Sequence, residues 1–365
     1  MKPNVKQIVM LQALCNNEQG WAKVMSRFGR VKLVQLEGFN FTEHIETWEN
    51  GKCVHSSLAK QSLRLAFLDE MTFGLVLTLT TIKRAMPVMK TQKTDVIIAS
   101  ANSMALAALF FRAIGRTRKV VCLVSDYFPP HRKLSVRIYR WISTWLTRCI
   151  CKSADEVWCV SPRIPTVKVN PRNFVVPLCV NSKSLPPCPR GEIGYIGMPS
   201  PDHALDMLFE IARKHGFRMN IIGDSPYLQT IKSSAPPGTE FHGLISDQAK
   251  ISDILSRCFC GYAIYRNVSP QNYSYYGFPT KIFYWLASNT PVLTTNTAHF
   301  TQKITEFGIG RVVEPNLEHI EKAVLDLKIR YADHYEAINR FRAAWNADVE
   351  KFHQERLAVL LEDKI

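Results

Sequence analysis

A lysine at the start of a predicted helix is the first candidate for chemistry. Lys281 follows Pro279 and Thr280, and the apolar spacing after it predicts a helix over residues 280–288. Proline in the first turn costs no hydrogen bond, and the free backbone N–H groups of that turn attract an anion. A lysine in the first turn interacts unfavourably with the positive end of the helix dipole. We therefore expect a diphosphate to lie between this lysine and the helix N-terminus. The alternative is a solvent-exposed lysine on an ordinary helix.

A single carboxylate is the second candidate. Asp126 follows a hydrophobic strand predicted over residues 120–124 and precedes Pro129 and Pro130, which places it at the carboxyl end of that strand. A carboxylate there can take the proton of an attacking hydroxyl group, as a general base does. The alternative is an aspartate that caps a turn or the helix that begins near Leu134.

Glycines follow three further predicted strands. Gly197 and Gly223 come directly after apolar runs, and His242 and Leu244 flank the glycine after a third run. A glycine lets the backbone approach a phosphate, because a Cβ would hold the ligand away. Alternatively, each of these glycines is an ordinary turn residue with no ligand beside it.

The elements that position these residues alternate short apolar runs with helical patterns, as buried parallel strands and their crossover helices do. At 365 residues the chain is too long for one ordinary core. A Pro- and Ser-rich stretch over residues 181–190 predicts a linker. We therefore predict an α/β fold of two Rossmann-like domains that face each other across a cleft. The domains cover residues 1–185 and 190–345, and a C-terminal helix over residues 346–365 returns towards the first domain.

Three segments complete the predicted order of elements. We expect a helix over residues 57–90 and place residues 251–256 among the strands of the second domain. The C-terminal region predicts helices with a break near Trp345 and Asn346.

The segment around Lys281 resembles the donor-binding stretch of GT-B glycosyltransferases, in which a Pro-x-Lys-x-x-Glu pattern precedes a small-residue helix end and a Pro-Val strand. Further segments resemble the same family in the same order: residues 193–197, 220–226, 241–244 and 307–315 in the second half, and 154–161 and 175–181, which are similar to family 4 enzymes, in the first.

This resemblance implies a GT-B fold and a glycosyltransferase that uses a nucleotide-sugar donor, which we expect to be a UDP-sugar. It implies a donor domain in the second half and an acceptor domain in the first. The implied donor-binding residues are Gly197, Met198, Gly223, His242, Leu244, Tyr265, Thr280, Lys281 and Tyr284.

The chain also departs from the family pattern. Family 4 retaining enzymes usually carry two glutamates seven residues apart, where this sequence has Tyr276 and Tyr284. The usual Arg and Lys after the first glycine are missing as well. This pattern is similar to that of the bacterial glucuronosyltransferase of xanthan assembly, which keeps the lysine, lacks the glutamate pair and uses an aspartate of the acceptor domain as its base. That aspartate corresponds to Asp126, and we predict direct displacement with inversion at the anomeric carbon.

Acceptor contacts are expected in loops of the first domain. Amide, carboxylate and hydroxyl groups suit sugar hydroxyls, and the candidates are Asn16, Glu18, Asn102 and Ser125. The same groups are equally common in loops that bind nothing. Neither a metal nor another cofactor is expected, because the sequence has no Asp-x-Asp pair in the loops assigned to the site and its ten cysteines include no CxxC pair.

The net charge of +15 is concentrated in one half. Residues 1–190 carry 28 Lys+Arg and 11 Asp+Glu, a net charge of +17, whereas residues 191–365 carry 18 and 20, a net charge of −2. A predicted helix over residues 134–148 also combines arginines with aromatic residues, as helices at lipid headgroups do: Arg137, Arg140, Arg148, Tyr139, Trp141 and Trp145. The alternative is a packed crossover helix with a few solvated arginines. With no recognisable signal peptide or membrane span, we expect a cytoplasmic enzyme on the inner face of the cell membrane. A lipid-linked or glycan acceptor would be available there.

Two other classes of function compete with this prediction. A GT-B-fold nucleotide-sugar epimerase or hydrolase would need several carboxylates and histidines in the cleft rather than one aspartate. A nucleic-acid-binding protein is supported by charge alone, because the sequence has no RNP, zinc-finger or helix-turn-helix signature. We therefore expect no nucleic acid among the partners.

Overall fold

The computed structural model describes nine stretches of the chain. They are residues 6–13, 18–37, 42–59, 75–91, 93–130, 133–180, 191–245, 247–297 and 300–362. The chain divides into two compact units, Met1–Cys179 with Asp348–Ile365 and Val180–Ala347. The predicted linker over residues 181–190 lies outside the described residues.

One mixed sheet of eight strands forms the centre of the first unit. Its strands are β1 (Gln7–Ala13), β2 (Arg30–Glu37), β3 (Thr42–Glu49), β4 (Lys52–Ala59), β5 (Thr94–Ser100), β6 (Thr117–Val124), β7 (Glu156–Cys159) and β8 (Asn173–Val175). Strands β1, β2 and β5 to β8 pair in parallel, and β3 and β4 add an antiparallel hairpin beside β2. The resulting order is β4-β3-β2-β1-β5-β6-β7-β8.

Helices cover this sheet as crossover connections. They are α1 (Glu18–Met25), α2 (Leu75–Thr91), α3 (Ala101–Ala113) and α4 (Leu134–Ser153). The valine and isoleucine runs of β5 and β6 are fully buried, for example at Ile97 and Val120, as expected of parallel strands covered on both faces. Because these strands run the same way, Asn102 and Asp126 follow them at the same edge of the sheet.

Six parallel strands form the second unit. They are β9 (Glu192–Ile196), β10 (Arg218–Ile222), β11 (Thr239–Gly243), β12 (Cys258–Ala263), β13 (Val292–Thr294) and β14 (Gly310–Val312), in the order β11-β10-β9-β12-β13-β14. This is the order of a doubly wound sheet, in which ligands bind beyond the carboxyl ends of the strands where the order reverses. Here the order reverses between β9 and β12.

The helices of the second unit include one that packs directly on two glycines of this sheet. They are α5 (Leu205–His215), α6 (Pro226–Ile231), α7 (Gln248–Ser256), α8 (Tyr273–Tyr276), α9 (Lys281–Ala287), α10 (Thr301–Glu306), α11 (Leu317–Ile329) and α12 (Tyr331–Leu361), which continues into the first unit. The Trp285 ring of α9 lies on Gly194 of β9 and Gly261 of β12, where an added Cβ would come within 2.3 Å of the ring. The two glycines thus let α9 lie close to the strands, and they fix the position of its first residue, Lys281.

The predicted helix over residues 57–90 is wrong in its first part. Residues 57–59 belong to β4, residues 60–74 lie outside the described residues, and α2 covers Leu75–Thr91. The hairpin of β3 and β4 is missing from the sequence-based prediction, because β3 contains charged residues such as Glu43, Glu46 and Glu49 and few apolar ones. A strand without an apolar face carries only a weak signal in the sequence.

Two predictions in the second half are also corrected. Residues 251–256 belong to α7 rather than to a strand, since Ile251, Ile254 and Leu255 are buried at helical spacing. The C-terminal helices are separated at Arg330, and α12 continues through residue 346 without a break. The Asn346 amide exchanges two hydrogen bonds with the Val180 backbone, which satisfies its polar atoms while the helix continues.

Candidate functional site

The ends of β9, β10 and β11 are joined through their backbones. The Gly197 N–H donates to the Ile222 carbonyl (3.0 Å), and the Gly223 N–H donates to the Gly243 carbonyl (2.8 Å). Gly197 and Gly223 both have a φ of 126°, which residues with a Cβ rarely adopt. A Cβ on Gly223 would also lie 1.9 Å from the Gly197 carbonyl oxygen. The fold therefore requires glycine at residue 223, and this contact supports the turn at Gly197.

The Lys281 side chain lies across Gly197, where a Cβ would come within 3.5 Å of the lysine Cε. Its Nζ donates to Tyr195 Oη at 3.4 Å and lies 4.7 Å and 5.1 Å from the ring centroids of Tyr195 and Tyr265. Tyr195 belongs to β9 and Tyr265 follows β12. The ammonium group is thus held between two aromatic rings at the point where the strand order reverses.

The electrostatic setting of Lys281 favours an incoming anion. Burial lowers the pKa of Lys281 to about 7, and the nearby Asp202 carboxylate raises it in part. In the part of the chain that the structure describes, Lys281 makes no ion pair, so its charge is balanced mainly by the faces of two rings. A diphosphate at Nζ would restore the ammonium charge, because an opposite charge at close range favours the charged form.

A neutral histidine supports the two rings. His203 Nδ1 lies 2.9 Å from Tyr195 Oη and accepts the Ser200 N–H at 3.1 Å. Its ring packs edge-on against Tyr265, with centroids 4.9 Å apart. Burial, and next the charge of Lys281, lowers the pKa of His203 to about 3. The imidazole therefore stays neutral at physiological pH and connects both rings that enclose Lys281.

The loop after β9 is also tied to the loop after β12. The Arg266 N–H donates to the Asp202 carbonyl (2.7 Å), the Asn267 N–H donates to the Asp202 carboxylate (3.2 Å), and the Arg266 guanidinium pairs with Asp206. Burial raises the pKa of Asp202, and hydrogen bonding and nearby cations partly offset this effect. These contacts occupy the loop where the family's usual Arg and Lys are missing.

The remaining predicted donor residues have different surroundings. Met198 and Leu244 follow β9 and β11 and are 72% and 83% exposed, so both are open to a ligand. His242 Nε2 is 2.8 Å from Asn220 Oδ1 inside the sheet, and burial lowers its pKa. Thr280 is exposed directly before α9, and Tyr284 is half-buried within that helix.

The structure brings four of the predicted donor residues into one cluster: Gly197, Gly223, Tyr265 and Lys281. The sequence-based prediction missed Tyr195 and His203, which hold Lys281 in place. Tyr195 had a recognisable signal, because a tyrosine inside an apolar strand before a glycine needs a partner for its hydroxyl group. His203 had none, because its contacts depend on the turn over residues 200–203.

Asp126 lies just beyond the end of β6 and is exposed. The Ser125 hydroxyl donates to its carboxylate at 2.8 Å, so these two predicted residues lie side by side. The residue that precedes α4 is Lys133, and no side chain caps that helix. Asp126 therefore does not serve as the cap of α4.

Two of the other predicted acceptor residues lie at the starts of helices. Asn16 lies outside the described residues, and Glu18 begins α1. Asn102, near the start of α3, accepts a hydrogen bond from Thr147 of α4 at 3.0 Å and so joins the two helices.

Helix α4 exposes an apolar stripe. Only Ile150 and Cys151, in its last turn, are buried. Leu134, Ile138, Trp141 and Trp145 are exposed, with Trp141 at 68% and Trp145 at 56%. Their spacing of four, three and four residues places them on one face of the helix. Large exposed apolar side chains on one face are typical of a surface that docks on something else.

Several solved structures of GT-B glycosyltransferases share this fold. Sucrose-phosphate synthase from Thermosynechococcus elongatus matches with a TM-score of 0.66 at 11% identity, over 97% of this chain and 100% of that one. HepE from Anabaena in complex with UDP matches with a TM-score of 0.61 at 11% identity, over 97% and 100%. An E. coli trehalose-6-phosphate structure bound with UDP-2-fluoro glucose has a TM-score of 0.64 at 11% identity, over 98% and 99%.

These matches confirm the predicted fold class, two α/β units with the GT-B fold. No protein-family model and no curated protein matches the sequence. The closer resemblance to family 4 and to the xanthan enzyme stays a prediction. Across the described stretches, no helix combines the length and hydrophobicity needed to cross a bilayer. Those stretches also contain no group of three or more His, Cys, Asp or Glu side chains placed to hold a metal ion.

Proposed function

We propose that the protein is a glycosyltransferase that moves a sugar from a UDP-sugar to a lipid-linked or glycan acceptor at a membrane surface. The observation that carries this proposal is the arrangement around Lys281. A partly neutralised cation lies between two tyrosine rings, beyond the strands where a doubly wound sheet binds nucleotides. A diphosphate supplies the negative charge that this site lacks.

The choice of UDP rests on two neighbours in fold. HepE from Anabaena and the E. coli trehalose-6-phosphate structure contain UDP and UDP-2-fluoro glucose. In this chain the exposed Met198 and Leu244 flank the strand ends that carry Gly197 and Gly223. We propose that these residues contact the nucleoside while Lys281 binds the diphosphate.

The proposed reaction is a single displacement with inversion. The acceptor oxygen bonds to the anomeric carbon as the bond from that carbon to the diphosphate oxygen breaks. Asp126 takes the acceptor proton, and Lys281 stabilises the negative charge on the departing UDP. Proton transfer and charge stabilisation are thus assigned to side chains of the chain itself, so we expect the reaction to proceed in the presence of EDTA.

The proposed location is the inner face of the cell membrane. The first half carries a net charge of +17, and α4 exposes two tryptophans with Arg137 and Arg148. Basic residues are attracted to anionic headgroups, and tryptophans favour the interface. A membrane surface is also where a lipid-linked acceptor is found.

Titration calorimetry with UDP tests the proposal. Lys281→Ala should weaken UDP binding by roughly 1.5–3 kcal/mol, the range for a hydrogen bond to a charged group. Lys322→Ala is the matched control, because Lys322 is an exposed lysine on a helix of the same unit. Equal UDP affinity in the parent and the Lys281→Ala variant would show that Lys281 does not bind the diphosphate. That result would contradict the proposal.

A further inference from the structure

The Asp202 carboxylate is held through one of its two oxygens. Asp202 lies in the loop after β9, where its Oδ1 accepts the Asn267 N–H at 3.2 Å and its carbonyl accepts the Arg266 N–H at 2.7 Å. The other carboxylate oxygen, Oδ2, makes no hydrogen bond with the described residues, and the half-buried side chain leaves this atom accessible. The loop contacts thus fix the carboxylate, and Oδ2 is an acceptor that a ligand can reach.

This carboxylate acts on the cluster around Lys281. It partly offsets the burial that lowers the pKa of Lys281, and it adds to the burial that raises the pKa of Tyr265. The next residue, His203, contacts the Tyr195 hydroxyl group and the Tyr265 ring. In the described part of the chain, Asp202 and Lys281 form no ion pair, since loop contacts hold the carboxylate and two rings hold the ammonium group. Two opposite charges that are near each other but unpaired can bind two different parts of one ligand.

An amide lies beside the carboxylate. The backbone of Asn267 is fixed, because its carbonyl accepts hydrogen bonds from Asn272 Nδ2 at 3.1 Å and from the Ser274 hydroxyl group at 2.8 Å. The Asn267 side chain is exposed and makes no hydrogen bond with the described residues. A carboxylate accepts hydrogen bonds, and an amide both donates and accepts them. Such a pair matches neighbouring hydroxyl groups, each of which is both a donor and an acceptor.

The cations of the same two segments are already committed. Residues 197–204 contain no lysine or arginine, and residues 264–281 contain only Arg266 and Lys281. The Arg266 guanidinium pairs with Asp206 and donates to the Pro201 carbonyl at 3.2 Å. Lys281 is the proposed partner of the diphosphate. A negatively charged group placed beside Asp202 would therefore meet a like charge and no uncommitted cation of these segments.

We infer that Asp202 and Asn267 bind hydroxyl groups of the donor sugar, and that Asp202 selects a neutral hexose over a uronic acid. The inference rests on the proposed function for the position of the UDP diphosphate at Lys281. The donor sugar is bonded to that diphosphate, so a sugar ring held by Asp202 and Asn267 lies next to the phosphate that Lys281 binds. The expected donor differs from that of the bacterial glucuronosyltransferase of xanthan assembly, although the sequence is similar to that enzyme.

Titration calorimetry on the full chain tests this selection with UDP and with two pairs of donors. UDP-glucose and UDP-glucuronate differ only at C6 of the sugar, as do UDP-galactose and UDP-galacturonate. In the parent protein at least one neutral donor should bind about fivefold or more tightly than its uronate counterpart. That factor corresponds to the repulsion of two unit charges 4 Å apart in water.

Asp202→Asn should remove this preference, because it deletes the charge and keeps an oxygen that can accept the Asn267 N–H. The neutral donor should bind about 2- to 12-fold more weakly, since a hydrogen bond to a neutral acceptor is weaker than one to a charged acceptor. The uronate should bind about fivefold more tightly. Asp253→Asn is the matched control, because Asp253 is an exposed aspartate of α7 in the same unit.

Asn267→Ala tests the amide and does not depend on the folding of the Asp202 variant. It keeps the backbone N–H that holds Asp202, so it should weaken the neutral donor about 2- to 12-fold without strengthening the uronate. A merely structural role of either residue would lower the affinities for UDP, the neutral donor and the uronate together. Opposite changes for the two donors in Asp202→Asn therefore support selection by the carboxylate.

The outcomes separate this inference from the proposed function. Uronate donors that bind the parent as tightly as their neutral counterparts overturn the inference, and so does a parental preference in Asp202→Asn. Both results leave the proposed diphosphate site intact if Lys281→Ala still weakens UDP binding. A preference that depends on Asp202, together with UDP affinity unchanged by Lys281→Ala, supports the sugar selection and contradicts the proposed role of Lys281. If UDP does not bind the parent, both are contradicted.

Discussion

The candidate sites of the two units are formed by opposite kinds of side chains. In the second unit a single cation, Lys281, is enclosed by two rings and a glycine backbone. In the first unit a cavity of about 560 Å³ lies beside Asp126 and is lined by many neutral hydroxyl groups of helix α4. A buried charge provides a large electrostatic contribution from one residue, whereas a hydroxyl-lined cavity adds many small ones. The first kind of site recognises a charged group, and the second recognises a shape.

The charge distribution adds to this contrast. The +17 of the first half is distributed along its sequence, while the second half is nearly neutral at −2 and has one lysine at its candidate site. Spread charge attracts an extended anionic surface, and a single enclosed cation selects one anion. Each of the following predictions changes one side of this contrast, beginning with the largest expected effect.

Asp126→Asn should show the largest change, because it removes the proposed base and keeps the shape of the side chain. A placed general base typically contributes 10²–10⁴-fold, so kcat should fall by about that factor. UDP affinity should stay at the parental value, since Asp126 belongs to the first unit. The measurement is steady-state transfer from a UDP-sugar, together with UDP calorimetry on the same variant.

Two outcomes would contradict this role of Asp126. Near-parental turnover of Asp126→Asn would make the carboxylate dispensable. A product that retains the anomeric configuration of the donor would rule out a single displacement, whatever the effect of the variant on rate.

Gly223→Ala compares backbone packing in the two units. The new Cβ would lie 1.9 Å from the Gly197 carbonyl oxygen, whereas a Cβ on Gly115 in the first unit would have nothing within 4 Å. Both glycines have a positive φ, at 126° and 71°, so both variants carry backbone strain. Overpacking should make Gly223→Ala less stable than Gly115→Ala by about 1–3 kcal/mol. Urea unfolding of both variants measures the difference, and equal losses would contradict a tight contact at Gly197.

The second unit was the more predictable from its sequence. Its strands β9 and β10 end directly before Gly197 and Gly223, as predicted, and the predicted helix over residues 280–288 corresponds to α9. Glycine after a strand, together with a Pro-x-Lys segment, fixes much of that geometry locally. Tyr195 and His203 could not be placed around Lys281 because their contacts depend on how β9, the turn after it and α9 pack.

The first unit shows the limit of the same reasoning. The strand before Asp126 was predicted, but the cavity beside it depends on the rotation of α4 about its own axis. Leu134 to Arg148 alternate apolar, aromatic, hydroxyl and basic residues, and the sequence-based prediction assigned Tyr139 and Arg140 to the headgroup face. The structure places both in the cavity lining. Thr166 comes from a short turn distant in sequence, so only packing brings it to the site.

The pH dependence of UDP binding tests how Lys281 is held. Its pKa is lowered to about 7, and a bound diphosphate should raise it, so binding above pH 7 takes up a proton. UDP affinity should therefore fall by up to about tenfold per pH unit above pH 7, a change of about 1.4 kcal/mol. Calorimetry across pH 7–9 measures the slope.

The stability of the free protein should change with the opposite sign. A lysine whose folded pKa lies below its unfolded value penalises the fold while it is charged, so this penalty disappears as the pH rises from about 7 towards 10.5. Lys281→Arg should remove both slopes, because arginine stays protonated throughout this range. A UDP affinity that is flat from pH 7 to pH 9 in the parent would contradict the lowered pKa.

The smallest expected effect lies on the exposed face of α4. Each arginine near an anionic surface contributes about 1 kcal/mol, so Arg137→Gln and Arg148→Gln should each weaken binding to phosphatidylglycerol vesicles about fivefold. Arg340→Gln, an exposed arginine of the second unit, is the matched control. Vesicle sedimentation at two salt concentrations measures the vesicle affinity of each variant, because surface attraction is screened by salt.

If sedimentation does not depend on lipid charge or salt but is lost in Trp141→Ser, the apolar stripe rather than the charge of the first unit holds the protein at the membrane. If none of these changes has an effect, α4 does not dock on a bilayer.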